Sequence, residues 1–454
     1  MKKMTAHDQQ KSDKVIIPDI CHLSDMEQAN ILADHFSEIP NQYDQISKED
    51  IKIAPIEEKD IPQFEPVQVW ILLSQLTTNK STVKGDLPAK IFKEFAAHIA
   101  EPLAHVFNTS LIQGEYPQIY KFEVCTPVHK KYPVKSIEQM QNISGLLTCD
   151  KIFEKLLSEI IINDMQDKAD VSQFGNKKQV SIQHYLIKMI HRIQTALDNN
   201  SRREIFAVVA NMIDWNNAFV RQCPKLGIES FQRNGVRNSI IPLLTSYFQE
   251  RFQSVKWRGV ISSPRRINGG GPQGATLGIL EYLSQSNNSA DCVQEEDRFK
   301  FIDDLTILEI VNLLTVGLSS FNIKYQVPND IREDNQYIKP ENLKSQEFLD
   351  TINIWTESNK MKINQLKTKT MIFNYTKNYQ FCTRLKLNGE ILETVDETKL
   401  LGTVITSDLK WDKNTSHICK KAYARMEIIR KLLKFDAPQA DLPQVFQVLV
   451  ARLT

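Results

Sequence analysis

No stretch of this 454-residue chain approaches the roughly 18 consecutive apolar residues of a membrane span, so no membrane partner is expected. The opening residues, Met1 to Lys14, are charged and lack the apolar segment of a secretory signal. An intracellular protein, of the cytoplasm or the nucleus, is expected. The seven cysteines are scattered from Cys21 to Cys419 without a C-x-x-C pair, which predicts reduced thiols and no zinc site. Charge of one sign is also missing: the net charge is +1, which excludes a uniformly basic nucleic-acid coat. There is no internal repeat and no low-complexity tract. What remains is ordinary for a globular protein, at 41% apolar and 24% charged, and is long enough for several subdomains.

Two adjacent carboxylates, Asp303 and Asp304, sit in Phe301-Ile302-Asp303-Asp304 inside a largely apolar run from Phe299 to Ile307. Such a run predicts a buried strand. Most Asp-Asp pairs are solvated turns, but apolar flanks make this one costly unless a cation neutralises it. A third carboxylate, Asp214, ends a matching apolar stretch that begins at Ile205. Three carboxylates on two strands suit hard divalent cations and the two-metal chemistry of phosphoryl or nucleotidyl transfer. A two-metal nuclease would want a general-base histidine nearby, and none of the nine His lies in these motifs. Between the acidic runs lies Asn268 to Gly278, where Gly269, Gly270, Gly271 and Gly274 place four of the chain's 15 glycines within six residues. A backbone so built predicts close approach to a ligand, with a tight, ligand-free turn as the alternative.

The order of an Asp214 strand, Gly-Pro-Gln-Gly and Phe-Ile-Asp-Asp resembles the reverse transcriptases of non-LTR (LINE-like) retrotransposons. The resemblance runs from about Val67 to Phe435. Lys84 to Ile91 resembles that family's "GPDGIPA". Pro102 to Pro117 is similar to its "FN.SL..G.FP" helix and turn, and Asn142 to Lys155 to "PISLL…KIFEK". Gln173-Phe174-Gly175 is similar to "QFGF", Trp355 to Phe373 to "W…N.MKIN..KTK.MIF", and Leu400 to Ile405 to "LLGV.I". Motifs this short are weak singly; their shared order is not.

The resemblance implies an α+β right-hand polymerase with helical fingers, an antiparallel-sheet palm and a partial helical thumb. It implies an RNA-directed DNA polymerase acting on an RNA or DNA template with a primer and dNTPs, using two Mg²⁺ ions, or Mn²⁺. Asp214 and Asp303 would hold the metals, with Asp304 beside them. Lys367 or Lys369 would protonate or neutralise the departing pyrophosphate, a solvated lysine being the alternative. Phe219 would be a steric gate under the sugar, or else an ordinary core aromatic. Gly271, Pro272, Gln273 and Gly274 would face the incoming nucleotide, with Lys177 and Lys178 on its phosphates. Leu400, Leu401 and Gly402 would form a primer grip, or an ordinary hairpin. Lys256, Trp257, Arg258, Arg265 and Arg266 interleave aromatic and basic groups as template contacts would.

Along the chain the expected divisions are a loosely packed lead-in over 1–66, fingers over 67–200, a palm with the metal site over 201–378, and primer grip with partial thumb over 379–454. Helices are predicted at Gln68–Leu76, Ala89–His98, Leu103–Gln113, Lys151–Gln166 and Ile182–Leu197, a strand pair at Lys121–Tyr132, and a surface loop at Ile323–Lys344. From Trp355 to Phe435, Lys and Arg are twice as numerous as Asp and Glu, and Lys420, Lys421 and Arg425 crowd one helix as a phosphate-tracking face would. Several positions depart from the family pattern: Val220 replaces the Asp that ends "AFD", Gln141 stands where an Arg often precedes "PIS", and Asn176, Lys177 and Lys178 stand where the family has arginines. Lysine lacks the bidentate fork of arginine. No endonuclease-like or zinc-knuckle segment accompanies the motifs, so a truncated or divergent copy is expected. The competing expectation is a catalytically weak or inactive nucleic-acid-binding remnant. Oligomeric state is not legible.

Overall fold

The computed structural model describes residues 15–79, 82–83, 85–130, 132–201, 204–314, 337–338, 343–376, 382–435 and 437–449. Lys84, Lys131, the charged stretch up to Lys14 and most of the expected loop at Ile323–Lys344 lie outside the described residues. The chain begins with α1 (Asp25–Glu38), α2 (Pro66–Ser74), α3 (Ala89–Glu94), α4 (Ala96–Gln113), β1 (Phe122–His129), β2 (Met140–Gly145), α5 (Thr148–Met165) and α6 (Ile182–Asp198). Next come β3 (Phe206–Ile213), α7 (Pro224–Arg233), α8 (Ile241–Phe248), β4 (Arg251–Trp257), β5 (Val260–Ile261), β6 (Arg265–Ile267), α9 (Thr276–Gln285), β7 (Arg298–Phe301) and β8 (Asp304–Asn312). It continues with β9 (Tyr337–Ile338), α10 (Lys344–Ser358), β10 (Lys369–Phe373), β11 (Cys382–Thr383), β12 (Lys386–Leu387), β13 (Glu390–Ile391) and β14 (Glu393–Thr394). The hairpin β15 (Glu397–Leu400) and β16 (Thr403–Thr406) leads to α11 (Asp412–Lys434) and α12 (Leu442–Leu449). The α+β class expected from the sequence is what forms. Among the described residues no helix is long and apolar enough to cross a membrane.

These elements gather into two compact units, each assembled from separate stretches: Met1–Asp170, Asn216–Ser289 and Trp355–Lys362 in one, Val171–Trp215, Ala290–Ile354 and Ile363–Thr454 in the other.

In the first unit β1 runs antiparallel to β2, from Val124 opposite Gly145 to His129 opposite Met140, and parallel to β4, with Phe122 opposite Phe252. The expected strand pair within Lys121–Tyr132 is therefore one strand, whose partner comes from the "PIS"-like segment. The lead-in is not loosely packed. Ser24 opens α1 with a capping box to Glu27, and Ala29, Leu32 and Ala33 bury fully, clustering with Ile17, Val255 and Trp257. The apolar spacing of Ala29, Leu32, Ala33 and Phe36 makes one helix face, which covers β4. A second core joins α2, α4, α5 and α8, where Phe107 and Phe153 stack at 4.4 Å. The helix expected over Ala89–His98 breaks at Phe95, and α4 then runs through Pro102. Behind this core lies a buried polar network. Tyr116 donates to Asp150 at 2.5 Å, Tyr247 donates to Glu154 at 2.8 Å, and Glu154 also accepts the Thr276 N–H that opens α9.

In the second unit the sheet order is β14-β10-β3-β8-β7, antiparallel at every step except β10 with β14. The β3 sequence Phe-Ala-Val-Val-Ala-Asn-Met-Ile is buried on both sides, as a central strand requires. Val208, Ala210, Leu308, Met371 and Phe373 pack with Tyr185, Met189 and Ile193 of α6. Glu309 accepts the Lys344 and Ser345 N–H groups at 2.9 and 2.7 Å, which fixes the start of α10.

Candidate active site

The run from Phe299 to Ile307 does not form one strand. It folds back at Ile302 and Asp303, a two-residue hairpin loop between β7 and β8, with Phe301 opposite Asp304. Ile302 takes φ +56°, the left-handed sign that such a loop asks of its first central residue and that a β-branched side chain resists. Antiparallel pairing of β8 with β3, ending at Ile213 opposite Leu305, carries Asp214 to the same end of the sheet as Asp303 and Asp304.

Asp214 is fixed by its backbone. Its N–H donates to Thr368 Oγ1 at 3.2 Å, and its C=O accepts the Asn364 N–H at 2.7 Å. Thr368 in turn donates to Asn364 C=O, and Trp215 bridges Ile363. The "KIN..KTK" segment is thus a sleeve around Asp214, a role for Asn364 and Thr368 that sequence reading missed. Replacing Thr368 by Val removes the side-chain acceptor of that N–H; a loss of about 1–2 kcal/mol is expected from urea denaturation.

Asp214 Oδ2 is shielded from solvent and, among the described residues, accepts no hydrogen bond; Lys367 Nζ lies 3.4 Å from it. Asp303 is solvent-exposed at the loop tip, yet the protein around it raises its carboxyl above the usual range. The Asp214 charge adds to this and Lys367 opposes it. Asp304 is pushed up to about 6, first by burial and then by Asp303 and Asp214. The three acids therefore share one electrostatic field, faced among the described residues by Lys367. Among the described residues no group of three or more His, Cys, Asp or Glu side chains converges as a ready-made metal cage. An acidic cluster whose shielded Asp214 Oδ2 accepts no hydrogen bond nevertheless fits a hard divalent cation.

The two lysines read as alternatives are separated. Lys367 faces Asp214, whereas Lys369 on β10 is committed to Glu393 and to Leu366 C=O at 3.0 Å. Lys177 and Lys178 are exposed on the loop between Gly175 and α6. Leu400 opposes Thr403 around a two-residue loop in which Leu401 (φ +48°) and Gly402 (φ +87°) both take left-handed backbone, the I′ hairpin pattern. Lys420 and Lys421 lie on α11, and Arg425 donates to Leu449 C=O at 2.6 Å, holding α12.

In the first unit, Phe219 is half-buried with its ring 5.1 Å from Tyr282, and its C=O accepts the Gly271 N–H. Gln222, fully buried and unnoticed in the sequence, organises the glycine turn. Its side chain accepts from Gly271 N–H and donates to Gly278 C=O, while its own C=O accepts from Gly270 N–H. A Cβ on Gly271 would meet Gln222 Oε1 at 2.8 Å and Gly278 Cα at 2.9 Å, so glycine is required there. Pro272 is buried, Gly274 is exposed, and Gln273 C=O accepts from Ser144 N–H.

The expected template contacts need correction. Trp257 is buried and donates to Gln28 at 3.0 Å, so it presents no face to a base. Arg258 pairs with Asp25 and Val15 C=O, and Arg265 with Asp34, all supplied by α1 or the chain leading into it. Lys256 and Arg266 remain exposed.

The chain matches no protein family profile. It is 23% identical over 348 residues to a probable RNA-directed DNA polymerase from transposon BS of Drosophila melanogaster, covering 73% of this chain and 34% of that protein. It is 23% identical over 276 residues to one from transposon X-element, covering 58% and 30%, and 24% identical over 364 residues to the RNA-directed DNA polymerase from mobile element jockey, covering 77% and 36%. Both are also from D. melanogaster. The chain thus spans about a third of the length of the curated relatives it matches. Among solved structures, apo telomerase from Candida tropicalis is similar at a TM-score of 0.40 and 12% identity over 69% of this chain and 53% of that one. A C-terminally truncated form gives 0.40 and 11% over 73% and 62%. The chain is a divergent relative of the Drosophila RNA-directed DNA polymerases of mobile elements.

Proposed function

We propose that this chain extends a primer 3′-hydroxyl with dNTPs along an RNA or DNA template, as the reverse transcriptase part of a non-LTR-type mobile element. The observation that carries this reading is the meeting of Asp214 with Asp303 and Asp304 at one end of paired antiparallel strands, with an Asp214 carboxylate oxygen that accepts no hydrogen bond and faces the Lys367 ammonium. Asp214 and Asp303 would hold two divalent ions, Mg²⁺ or Mn²⁺, with Asp304 beside them. Bound there, the ions would lower the pKa of the primer hydroxyl and neutralise the phosphates. The sleeve of Asn364 and Thr368 holds Asp214 in register, and the Lys367 ammonium beside it would donate to, or neutralise, a leaving pyrophosphate. Phe219, the Gly271 to Gly274 turn, Lys177 and Lys178 are proposed as nucleotide-facing, and the Leu400-Leu401-Gly402 loop as the primer grip. Exposed Lys256, Arg266, Lys420 and Lys421 are proposed as backbone contacts.

The test is primer extension on poly(rA)/oligo(dT) with Mg²⁺ or Mn²⁺, comparing the native chain with Asp303→Ala. Incorporation by the native chain that vanishes in the variant supports the reading. Absent incorporation, or incorporation unchanged by the substitution, rejects it, and primer–template binding without synthesis would identify a silent remnant. The lysines give a second expectation. Lys367→Ala should lower the incorporation rate by roughly 10²-fold, within the range of general acid catalysis. Lys369→Ala, which breaks the Glu393 pair and the bond to Leu366 C=O, should stay within about threefold in the same single-turnover assay, because exposed pairs contribute little.

A further inference from the structure

We propose that Gln173 is a positioning residue that holds the Ile302–Asp303 loop in its left-handed conformation and thereby aims Asp303. The inference rests on the reading of Asp303 as a metal-holding acid. Gln173 lies 129 residues upstream of the loop, in the short stretch Ser172 to Gly175 that leads toward α6. This stretch lies along β7 as an extra parallel edge: Phe174 N–H donates to Lys300 C=O at 2.8 Å, and Lys300 N–H donates to Ser172 C=O at 2.9 Å.

One residue past that ladder β7 ends and the loop has no backbone partner, so the Gln173 side chain takes over. Its Oε1 accepts the Ile302 N–H at 2.9 Å and the Gly175 N–H at 2.8 Å, and its Nε2 reaches the Ile302 C=O at 3.4 Å. The amide therefore reads both polar groups of the one residue in the loop whose backbone is unfavourable for its side chain. Gly175 completes the grip, because a Cβ there would lie 2.5 Å from Ile302 Cγ1 and 2.6 Å from its N. Ile302 is thus pressed between its own hairpin and a glycine, with an amide closing the remaining side. Without the amide the loop is free to leave a conformation that isoleucine disfavours, and Asp303, the next residue, moves with it.

The test measures Mn²⁺ binding to the full chain by electron paramagnetic resonance, with amide hydrogen exchange read at Ile302. Gln173→Leu is expected to weaken Mn²⁺ binding by about tenfold, the low end for losing an outer-shell partner, and to speed exchange of the Ile302 amide. Gln173→Glu, which keeps an acceptor for both N–H groups, is expected to stay within about threefold of the native affinity. Should Gln173→Leu fail to fold, Gln173→Asn, one methylene short of Ile302, makes the same comparison. The proposal is overturned if the Leu or Asn variant binds Mn²⁺ as the native chain does. Equal weakening by the Glu and Leu variants, the behaviour of mere filler, also overturns it, as does unaltered Mn²⁺ binding by Asp303→Ala. A native chain that fails to extend primers while its Mn²⁺ affinity still depends on Gln173 would reject the polymerase reading and leave the clamp standing.

Discussion

Primer extension by the Asp214→Asn chain is expected to fall at least about 10³-fold, some 4 kcal/mol of transition-state stabilisation, with primer–template binding retained. Asparagine keeps the shape of the side chain and leaves the backbone contacts to Thr368 and Asn364 in place, so the β3 end should not move. What it removes is the charge. A neutral amide holds a hard divalent cation poorly. Asp214 is also one cause of the raised Asp303 and Asp304 carboxyls, so its loss relaxes both toward ordinary values. Relief of that like-charge repulsion predicts a urea midpoint no lower than that of the native chain, which separates lost chemistry from lost folding. Single-turnover incorporation, anisotropy of a labelled primer–template and urea denaturation together decide it. A variant that still incorporates within tenfold of the native rate would remove Asp214 from the reaction.

The apolar strand that runs up to Asp214 was legible in a few adjacent residues, whereas the β7–β8 loop was not, because the run from Phe299 to Ile307 reads as one strand. The glycine turn was legible too, since only glycine permits its geometry at Gly271. The supports were not legible. Gln173 acts on a residue 129 positions away, and Gln222 on a glycine 49 and 56 positions away. A glutamine that bonds to backbone carries no periodic or compositional signature. The misreading of Trp257, Arg258 and Arg265 has the same origin. Interleaved aromatic and basic residues look alike whether they face a nucleic acid or lie beneath a helix, and α1, which covers them, is supplied from more than 220 positions upstream. Its Asp25 and Asp34 show what the local pattern omits: Arg258 and Arg265 already have protein partners. The lead-in escaped for a further reason. Its helix is short of charge contrast and bracketed by prolines, and its apolar face is explained only by the sheet it covers.

Glu281 offers the second large effect, in stability. It lies on the buried face of α9, fully inaccessible, with neither carboxyl oxygen hydrogen-bonded. Gly227 on α7 is what admits it, since a Cβ there would lie 2.3 Å from Glu281 Oε1. Burial alone pushes this carboxyl up to about 8 from an ordinary 4.5. Between those values the native chain keeps a proton that the unfolded chain releases, so native stability falls as pH rises through that window and levels off above it. At about 1.4 kcal/mol per unit, the full loss is roughly 4–5 kcal/mol. Glu281→Met, similar in length and without polar atoms, should abolish that slope and exceed the native chain by several kcal/mol at pH 8.5. At pH 4.5 the two chains should differ little. Urea midpoints of both at pH 4.5, 6.5 and 8.5 test this directly. Parallel pH dependences would mean that Glu281 is ionised in the fold and balanced by a cation.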